Sequence, residues 1–126
     1  MATMAKRRAR QPTSKRSPRK LSSPAKRRLP EEAVTLTVVL SAKEGMDGAL
    51  EAELRAVVAS TRCEEGCLTF DLHRSADSLG AFLLHEVWAS REHHARHRQT
   101  PHFLRWNARK DALLASRDAS FWKLVV

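Results

Sequence analysis

Residues 64–88, EEGCLTFDLHRSADSLGAFLLHEVW, contain two runs in which apolar and polar side chains alternate. Leu68, Phe70 and Leu72 share one side of the first run, and the second runs from Phe82 to Trp88. Alternation of this kind is typical of a β-strand that buries one face. The segment between the runs, RSADSLG, is rich in residues that favour turns. The stretch therefore predicts a β-hairpin.

A strand and a helix are predicted before the hairpin. Residues 33–40, AVTLTVVL, form a β-branched run of strand length with alternate side chains on one face: Val34, Leu36, Val38 and Leu40. Residues 42–62 carry apolar side chains at the spacing of one helical stripe: Leu50, Leu54, Val57 and Val58. Asp47 is the predicted N-cap of this helix, because its side-chain oxygen can accept a backbone N–H there.

Two helices and a closing strand are predicted after the hairpin. Ser90 is placed to cap a short helix over REHHARHRQ, residues 91–99. Thr100 and Pro101 then occupy the favoured N-cap and first helical positions of a second helix. We expect the inner face of that helix to carry Leu104, Ala108, Ala112 and Ala115. Residues 120–126, SFWKLVV, are predicted to form the last strand.

The predicted order of elements is β-α-β-β-α-β, with the second helical region divided in two. This order is typical of the ferredoxin-like split βαβ fold, an α+β class in which helices cover one face of an antiparallel sheet. The other face of the sheet is left bare. Because a bare apolar face has to be covered, we expect a second copy of the chain to pack there as a homodimer.

The positive charge of the chain is concentrated at its start. The net charge is +9, yet residues 1–30 contain eleven Lys or Arg and no acid, which leaves 12 basic and 14 acidic residues in 31–126. Residues 1–30 lack the apolar groups for a core, so we predict a disordered basic tail there and a folded domain over 31–126. The tail is interpreted as a solvated extension, a start assigned too far upstream, a targeting segment, or a contact to nucleic acid.

Cysteine content and hydropathy narrow the class of protein. Two cysteines, Cys63 and Cys67, cannot build a disulfide framework. No apolar run approaches the roughly 20 residues of a membrane span. The simplest interpretation is a soluble cytoplasmic protein without a membrane partner.

Residues 85–103 hold five of the six histidines, so a metal site is the first hypothesis for this stretch. His93 and His97 are four residues apart and share a helical face, where they could bind a zinc-like ion together. A catalytic zinc site normally takes three protein ligands, and no Cys, Asp or Glu lies at a helical spacing that completes the set. The expectation is therefore that no metal binds here.

Acid-base chemistry is the second hypothesis for the histidines. A histidine has a pKa of about 6.5 and can exchange protons near neutral pH. His97 is the better candidate, because it lies where the short helix ends and faces the region entered by His102. His93 and His94 lie among arginines and are expected at the surface, and His85 has no settled role. Ordinary solvated or packed histidines remain the alternative.

The segment EVWASREHHARHRQTPHF, residues 86–103, preceded by EEGCLTFDLH, resembles the antibiotic biosynthesis monooxygenase superfamily, especially its quinol monooxygenase type. The family pattern is E-G-C before a strand, then E-x-W, a helix with a His, and T-P-H-F. The resemblance covers about residues 33–126. It implies a dimeric α+β barrel of ferredoxin-like subunits with a pocket between sheet and helices. It also implies oxidation of a small aromatic substrate by molecular oxygen without metal, haem or flavin.

The resemblance also implies roles for individual side chains. The matching positions are Glu86, Trp88, His97, His102, Phe103 and, more loosely, Asn107. We expect His97 and His102 to be catalytic and the other four to bind substrate, with Trp88 and Phe103 as apolar pocket walls. Glu86 is interpreted either as a catalytic group or as a structural partner, since a buried carboxylate needs one.

Two departures from related patterns narrow the chemistry. Haem-degrading members carry a Trp where this chain has His97 and a His where it has Asn107, which disfavours haem degradation. The chain has no tyrosine, and His94 lies near the place where some polyketide oxygenases have an aromatic hydroxyl. This puts polyketide-type chemistry in doubt and leaves the actual substrate open, with a quinol-like or other electron-rich aromatic as the expectation. A non-catalytic binding or stress-related protein of the same fold, with a tail that contacts nucleic acid, is the alternative.

Overall fold

The computed structural model describes residues 28–126. Residues 30–125 form one compact unit. The predicted basic tail, except for its last three residues, lies outside the described residues, so its disorder and its partners stay predictions.

The described chain has four strands and three helices in the predicted order. They are β1 (Val34–Ala42), α1 (Asp47–Thr61), β2 (Cys67–Arg74), β3 (Ala81–Trp88), α2 (Arg91–His97), α3 (Pro101–Leu113) and β4 (Leu114–Trp122). The strands form one antiparallel sheet in the order β2-β3-β1-β4. This is the ferredoxin-like α+β fold that the sequence predicts.

The core lies between one face of the sheet and the helices. The four predicted inward side chains of β1 are all buried, and so are the four of α1: Val34, Leu36, Val38, Leu40, Leu50, Leu54, Val57 and Val58. The opposite face of the sheet is more open, with Val39 49% and Trp122 56% exposed. His85, half-buried, lies on this open face and directly precedes the core-facing Glu86 in β3. One face of the sheet is therefore left uncovered by the helices, as the sequence predicts.

Helix caps confirm two of the three predicted starts. The Ser90 hydroxyl accepts the His93 N–H at 3.2 Å, and the Thr100 hydroxyl accepts the Phe103 N–H at 3.3 Å. The predicted N-cap at Asp47 was wrong: Met46 is the cap, without a side-chain hydrogen bond, and Asp47 is the first helical residue. Its negative charge still favours the helix start, because unpaired backbone N–H groups point there.

The predicted inner face of the last helix was wrong. Leu104 is 51% exposed, whereas Trp106 and Leu113 are buried and Phe103 packs against the core. An aromatic ring buries far more apolar area than an alanine, so the aromatic side chains decide which face of α3 turns inward. The alanines predicted for this face, Ala108, Ala112 and Ala115, are exposed instead, and Ala115 belongs to β4.

Two details of the strands also differ from the prediction. The last strand begins at Leu114, directly after α3, and ends at Trp122, so the range 120–126 placed it too late. Leu68 is 46% exposed rather than inward. Cys67 pairs with Trp88 and Thr69 with the adjacent Val87, so Leu68 is the extra residue of a β-bulge.

None of the helices described in residues 28–126 has the length and apolar composition needed to cross a membrane.

The turn between α1 and β2 depends on Gly66. Its backbone has a φ of +84°, and its carbonyl accepts the Ala89 N–H at 2.8 Å, which joins the turn to the start of α2. A Cβ at this position would overlap the His93 ring. Gly45 has a similar φ of +80° but has open space around it. A substitution at Gly45 therefore introduces backbone strain alone, whereas a substitution at Gly66 introduces both backbone strain and a steric overlap.

We expect Gly66→Ala to destabilise the protein more than Gly45→Ala. Both variants place a side chain at a positive φ, which costs about 1 kcal/mol. Only Gly66→Ala also has to displace the His93 ring, which adds roughly 1–3 kcal/mol by overpacking. Urea unfolding of the two variants gives the difference. Equal losses of unfolding free energy would show that His93 yields without cost.

Candidate active site

Three side chains from separate segments meet around one carboxylate. Glu64 comes from the turn after α1, His97 is the last residue of α2, and His102 is the second residue of α3. Glu64 Oε2 lies 2.8 Å from His97 Nδ1 and 2.6 Å from His102 Nε2. A carboxylate only accepts hydrogen bonds, so each of these ring nitrogens donates its hydrogen to the same oxygen.

Local structure explains why the two histidines lie side by side. The Thr100 hydroxyl donates to the His97 carbonyl at 2.7 Å and also lies 3.2 Å from His102 Nε2. The same residue caps α3, with Pro101 at the start of that helix. One threonine therefore closes the tight corner between α2 and α3, and the His97 and His102 rings end with their centroids 6.0 Å apart.

His97 is enclosed by aromatic rings. It is 2% exposed, and its ring centroid lies 4.8 Å from that of Trp88 and 5.0 Å from that of Phe103. Burial lowers the pKa of His97, and this effect outweighs the raising effect of Glu64. The ring is therefore a neutral imidazole near pH 7. With hydrogen on Nδ1, its Nε2 is the atom with a free lone pair, which suits a proton acceptor.

Glu86 is a second buried acid on the inner face of β3. It is 3% exposed, pairs across the sheet with Leu36 and Phe70, and its Oε1 accepts the Trp88 Nε1–H at 2.9 Å. Burial raises the pKa of Glu86 to about 7. Glu86 thus has a structural partner, as one of its two interpretations required, and it can also hold a proton near neutral pH.

A small cavity lies between the sheet and the helices. Its polar lining comes from Glu86, His97 and Arg117, and its apolar lining includes Phe103 and Trp106. The cavity volume is about 20 Å³, room for about one water molecule. Ligand pockets are more typically 300 Å³ or larger, so an aromatic ring can enter only if the walls move apart.

Most of the residues expected at the site do lie together, with two differences. Glu86, His97 and Phe103 line the cavity, and His102 joins them through Glu64. Trp88 is fully buried and supports the His97 ring from behind, rather than lining the cavity. Asn107 does not approach the cavity: it is exposed, because the neighbouring Trp106 is the residue that turns inward.

The surface placement expected for His93 and His94 was wrong. Both are half-buried. His93 Nδ1 lies 2.8 Å from the Ser90 hydroxyl, and the His94 ring packs edge-on against Trp88 and Phe121. Burial lowers the pKa of His94 to about 4, so this ring is neutral in the folded protein near pH 7.

Sequence reasoning missed Glu64, Trp106 and Arg117. Trp106 was detectable, because a large aromatic on a helix usually faces the core. Glu64 and Arg117 carried no periodic signal. Glu64 lies 33 residues before His97 and 38 before His102, so only the folded chain brings them together.

The Glu64, His97 and His102 side chains are also the set that could hold a metal ion, since their ligand atoms all lie within 4.8 Å of one another. Two imidazoles and a carboxylate suit zinc or iron. Ligand atoms around a tetrahedral zinc are about 3.3 Å apart, however. The separations of 2.8 and 2.6 Å from Glu64 Oε2 are those of charge-assisted hydrogen bonds. The geometry favours shared hydrogens, and the absence of a metal stays a prediction.

We expect Glu86 to make the protein less stable as pH rises. Its pKa is about 7 when folded and 4.5 as the ordinary value, so the folded state keeps a proton that the unfolded state loses over this window. Between pH 5 and pH 8, wild type should lose roughly 2–3 kcal/mol of unfolding free energy relative to Glu86→Gln. Glutamine cannot ionise and still accepts from Trp88.

Urea unfolding at the two pH values measures this difference. The depressed pKa of His94 acts in the opposite direction below pH 6.5, but it is present in both proteins and cancels in the comparison. Glu65→Gln, an exposed change of the same charge, is the control. Parallel pH profiles for wild type and Glu86→Gln would show that Glu86 is ionised throughout.

Comparisons with known proteins identify the family and the fold. Residues 33–109 match the family model described as antibiotic biosynthesis monooxygenase. "Putative monooxygenase Rv0793" of Mycobacterium tuberculosis is 42% identical over 66 residues, which are 52% of this chain and 64% of that protein. The match thus spans a little less than two thirds of that relative.

Solved structures share the whole domain. The structure of PA3566 from Pseudomonas aeruginosa has a TM-score of 0.74 and 35% identity, over 77% of this chain and 98% of that one. The structure of Rv0793 has a TM-score of 0.71 and 30% identity, over 75% and 96% of the two chains. The family match and the shared fold agree. The chain belongs to the antibiotic biosynthesis monooxygenase family.

Proposed function

We propose that the protein is a cofactor-independent monooxygenase that oxidises a quinol-like aromatic with molecular oxygen. The observation that carries this proposal is His97: a buried, neutral imidazole whose Nδ1–H is bound by Glu64 and whose ring lines an internal cavity. Such a ring can remove a phenolic proton in a site that excludes water. Family membership supports the same class of reaction.

The chemistry resides in the substrate. A deprotonated quinol is electron-rich and can pass an electron to oxygen without metal or flavin. The overall reaction balances as quinol plus O₂ giving hydroxyquinone plus water, with the substrate supplying both the carbon that is oxygenated and the electrons that reduce the second oxygen atom. The protein's tasks are to orient the ring, accept the proton and stabilise the anion.

Each task has a residue at the cavity. His97 Nε2 accepts the proton, and Phe103 with Trp106 offers apolar contact to an aromatic ring. Arg117 brings a positive charge to the cavity lining, and this charge partly offsets the rise that burial causes in the pKa of Glu86. A phenolate formed between His97 and Arg117 would be stabilised by that charge.

Substrate entry requires the cavity to widen from its volume of about 20 Å³. Phe103 and Arg117 are lining residues that keep some exposure, whereas Glu86 and His97 are buried at 3% and 2%. Entry past Phe103 and Arg117 leaves the buried acid and base in place. Because Phe103 belongs to α3 and Arg117 to β4, substrate would enter from that side of the cavity.

We also propose that the partner of the bare sheet face is a second copy of the chain. Val39 and Leu83 pair in the middle of this face, with His85 and Asp118 as polar neighbours, and Trp122 lies at the end of β4. Trp122 Nε1 donates a hydrogen bond to the Thr37 hydroxyl at 2.7 Å, so the polar atom of this side chain has a partner within the subunit. The apolar part of its ring is then available for packing against the second copy. Pairing of two such faces buries both by twofold symmetry.

We expect His97→Gln to lower oxygen consumption strongly. Glutamine keeps a polar group of similar reach but cannot act as a base, so the rate should fall about 10²- to 10⁴-fold. The assay follows oxygen uptake by chelator-treated protein with a panel of benzo- and naphthohydroquinones. His93→Gln, on the same short helix and half-buried, is the control. Equal rates for His97→Gln and wild type on every active substrate would remove His97 from the mechanism.

We expect Val39→Lys to convert a dimer into a monomer. Val39 lies at the centre of the bare face, is 49% exposed and pairs across the sheet with Leu83 and Asp118. A lysine there is tolerated in a single subunit, beside Asp118, but it brings a long charged side chain that has to lose its water in the middle of a face-to-face dimer. Sedimentation velocity measures the mass. Leu104→Lys, at an apolar position of α3 that is 51% exposed, should leave the mass unchanged. A monomeric wild type, or a dimeric Val39→Lys, would contradict the proposed interface.

A further inference from the structure

We propose that Glu64 and His102 form a positioning pair for His97: the His102 ring N–H fixes the Glu64 carboxylate, and the carboxylate fixes the tautomer and orientation of His97. Its catalytic consequences rest on the function proposed above, whereas its structural consequences do not. The proposal changes the expected role of His102 from a catalytic group to a positioning residue.

The first support is the shared oxygen. One atom, Glu64 Oε2, lies at hydrogen-bond distance from both rings, 2.8 Å for His97 and 2.6 Å for His102. An oxygen that receives two N–H groups is held against rotation from two directions. His102 hydrogen-bonds to Glu64 rather than to the reacting ring, and the centroids of the two histidine rings lie 6.0 Å apart.

The second support is the hydrogen-bonded turn from which the Glu64 side chain projects. Its backbone N–H donates to the Thr61 carbonyl at 2.9 Å, and its own carbonyl accepts the Cys67 N–H at 3.2 Å. The turn therefore links the end of α1 to the start of β2 on both sides of Glu64. Gly66 closes the same turn against α2. A carboxylate on such a turn has few ways to move, which is what a positioning group requires.

The third support is the graded exposure of the three side chains. The side chain of His97 is 3% exposed, that of Glu64 14% and that of His102 23%. The cavity is lined by His97 but not by Glu64 or His102. Of these three side chains, only His97 is placed to touch a substrate in the cavity, so His102 acts from outside it. The arrangement follows the logic of a carboxylate that orients a catalytic histidine and stabilises its protonated form.

The Glu64 step is tested by Glu64→Gln, with the exposed neighbour Glu65→Gln as the matched control. Nitrogen-15 NMR of the histidine rings should find hydrogen on Nδ1 of His97 in wild type and in Glu65→Gln. In Glu64→Gln that tautomer should no longer dominate, because a neutral amide binds either tautomer. Retention of the Nδ1–H tautomer in Glu64→Gln would overturn the proposal. This readout needs no substrate, so it stands if no quinol is oxidised.

The His102 step is tested by a pair of variants. A glutamine amide can donate to Glu64 from nearly the position of His102 Nε2, whereas leucine cannot donate. His102→Gln should therefore keep the His97 tautomer and kcat within about 3-fold of wild type, and His102→Leu should lower kcat about 10-fold or more with little change in KM. Equal, large losses in both variants would show that His102 is itself an acid or base.

The two proposals fail in different ways. If no hydroquinone supports oxygen uptake while the His97 tautomer still depends on Glu64, the proposed reaction is wrong and the positioning pair stands. If oxygen uptake depends on His97 but neither rate nor tautomer responds to Glu64→Gln, the reaction stands and the positioning pair is wrong.

Discussion

One carboxylate oxygen holds together the part of the molecule where chemistry can occur. Glu64 Oε2 joins the turn after α1 to the ends of two other helices, through His97 and His102. Backbone hydrogen bonds also link these segments, from Ala89 to Gly66 and from Thr100 to His97, but the Glu64 side chain is the group that contacts both histidine rings. Charge-assisted hydrogen bonds are roughly twice as strong as neutral ones, and here they are shielded from water. The position of the His97 ring is a consequence of this interaction.

The sheet side of the cavity is organised by a second buried acid. Glu86 projects from a central strand into the core. One of its carboxylate oxygens accepts a hydrogen bond from the indole N–H of Trp88, two residues further along β3. The Trp88 ring in turn packs on His97, at a centroid distance of 4.8 Å. Glu86 therefore supports the same imidazole from the sheet that Glu64 supports from the turn. A buried carboxyl at this place is costly when ionised, and burial accordingly raises the pKa of Glu86 to about 7.

Sequence patterns were reliable where structure depends on near neighbours. The burial of β1 and α1 followed from periods of two and 3.6 residues, and the Ser90 and Thr100 caps followed from residue type. The prediction for the inner face of α3 was wrong because it relied on the spacing of the alanines and gave too little weight to Phe103 and Trp106.

The candidate site was predictable only in part. Glu86, His97, His102 and Phe103 lie in one stretch of the chain, and their family pattern identified them. Glu64 and Arg117 belong to other segments, and their contribution depends on tertiary contacts that no local pattern contains. Asn107 shows the converse error, since a residue next to the right position on a helix points about 100° away from it.

The closed cavity, the buried Glu86 and the buried His97 together indicate which part of the protein has to move. Glu86 accepts a hydrogen bond from Trp88, and His97 is held by Glu64 and packed against Trp88, so displacing either would break interactions in a site that excludes water. Phe103 contributes no hydrogen-bonding side-chain group, and its contact with His97 is an edge-to-face packing of rings 5.0 Å apart. Moving Phe103 exposes apolar surface that an aromatic substrate would cover again, so its net cost is small when substrate is present. A substrate ring that takes the place of the Phe103 ring would lie directly against His97. Opening and substrate recognition would then be the same event.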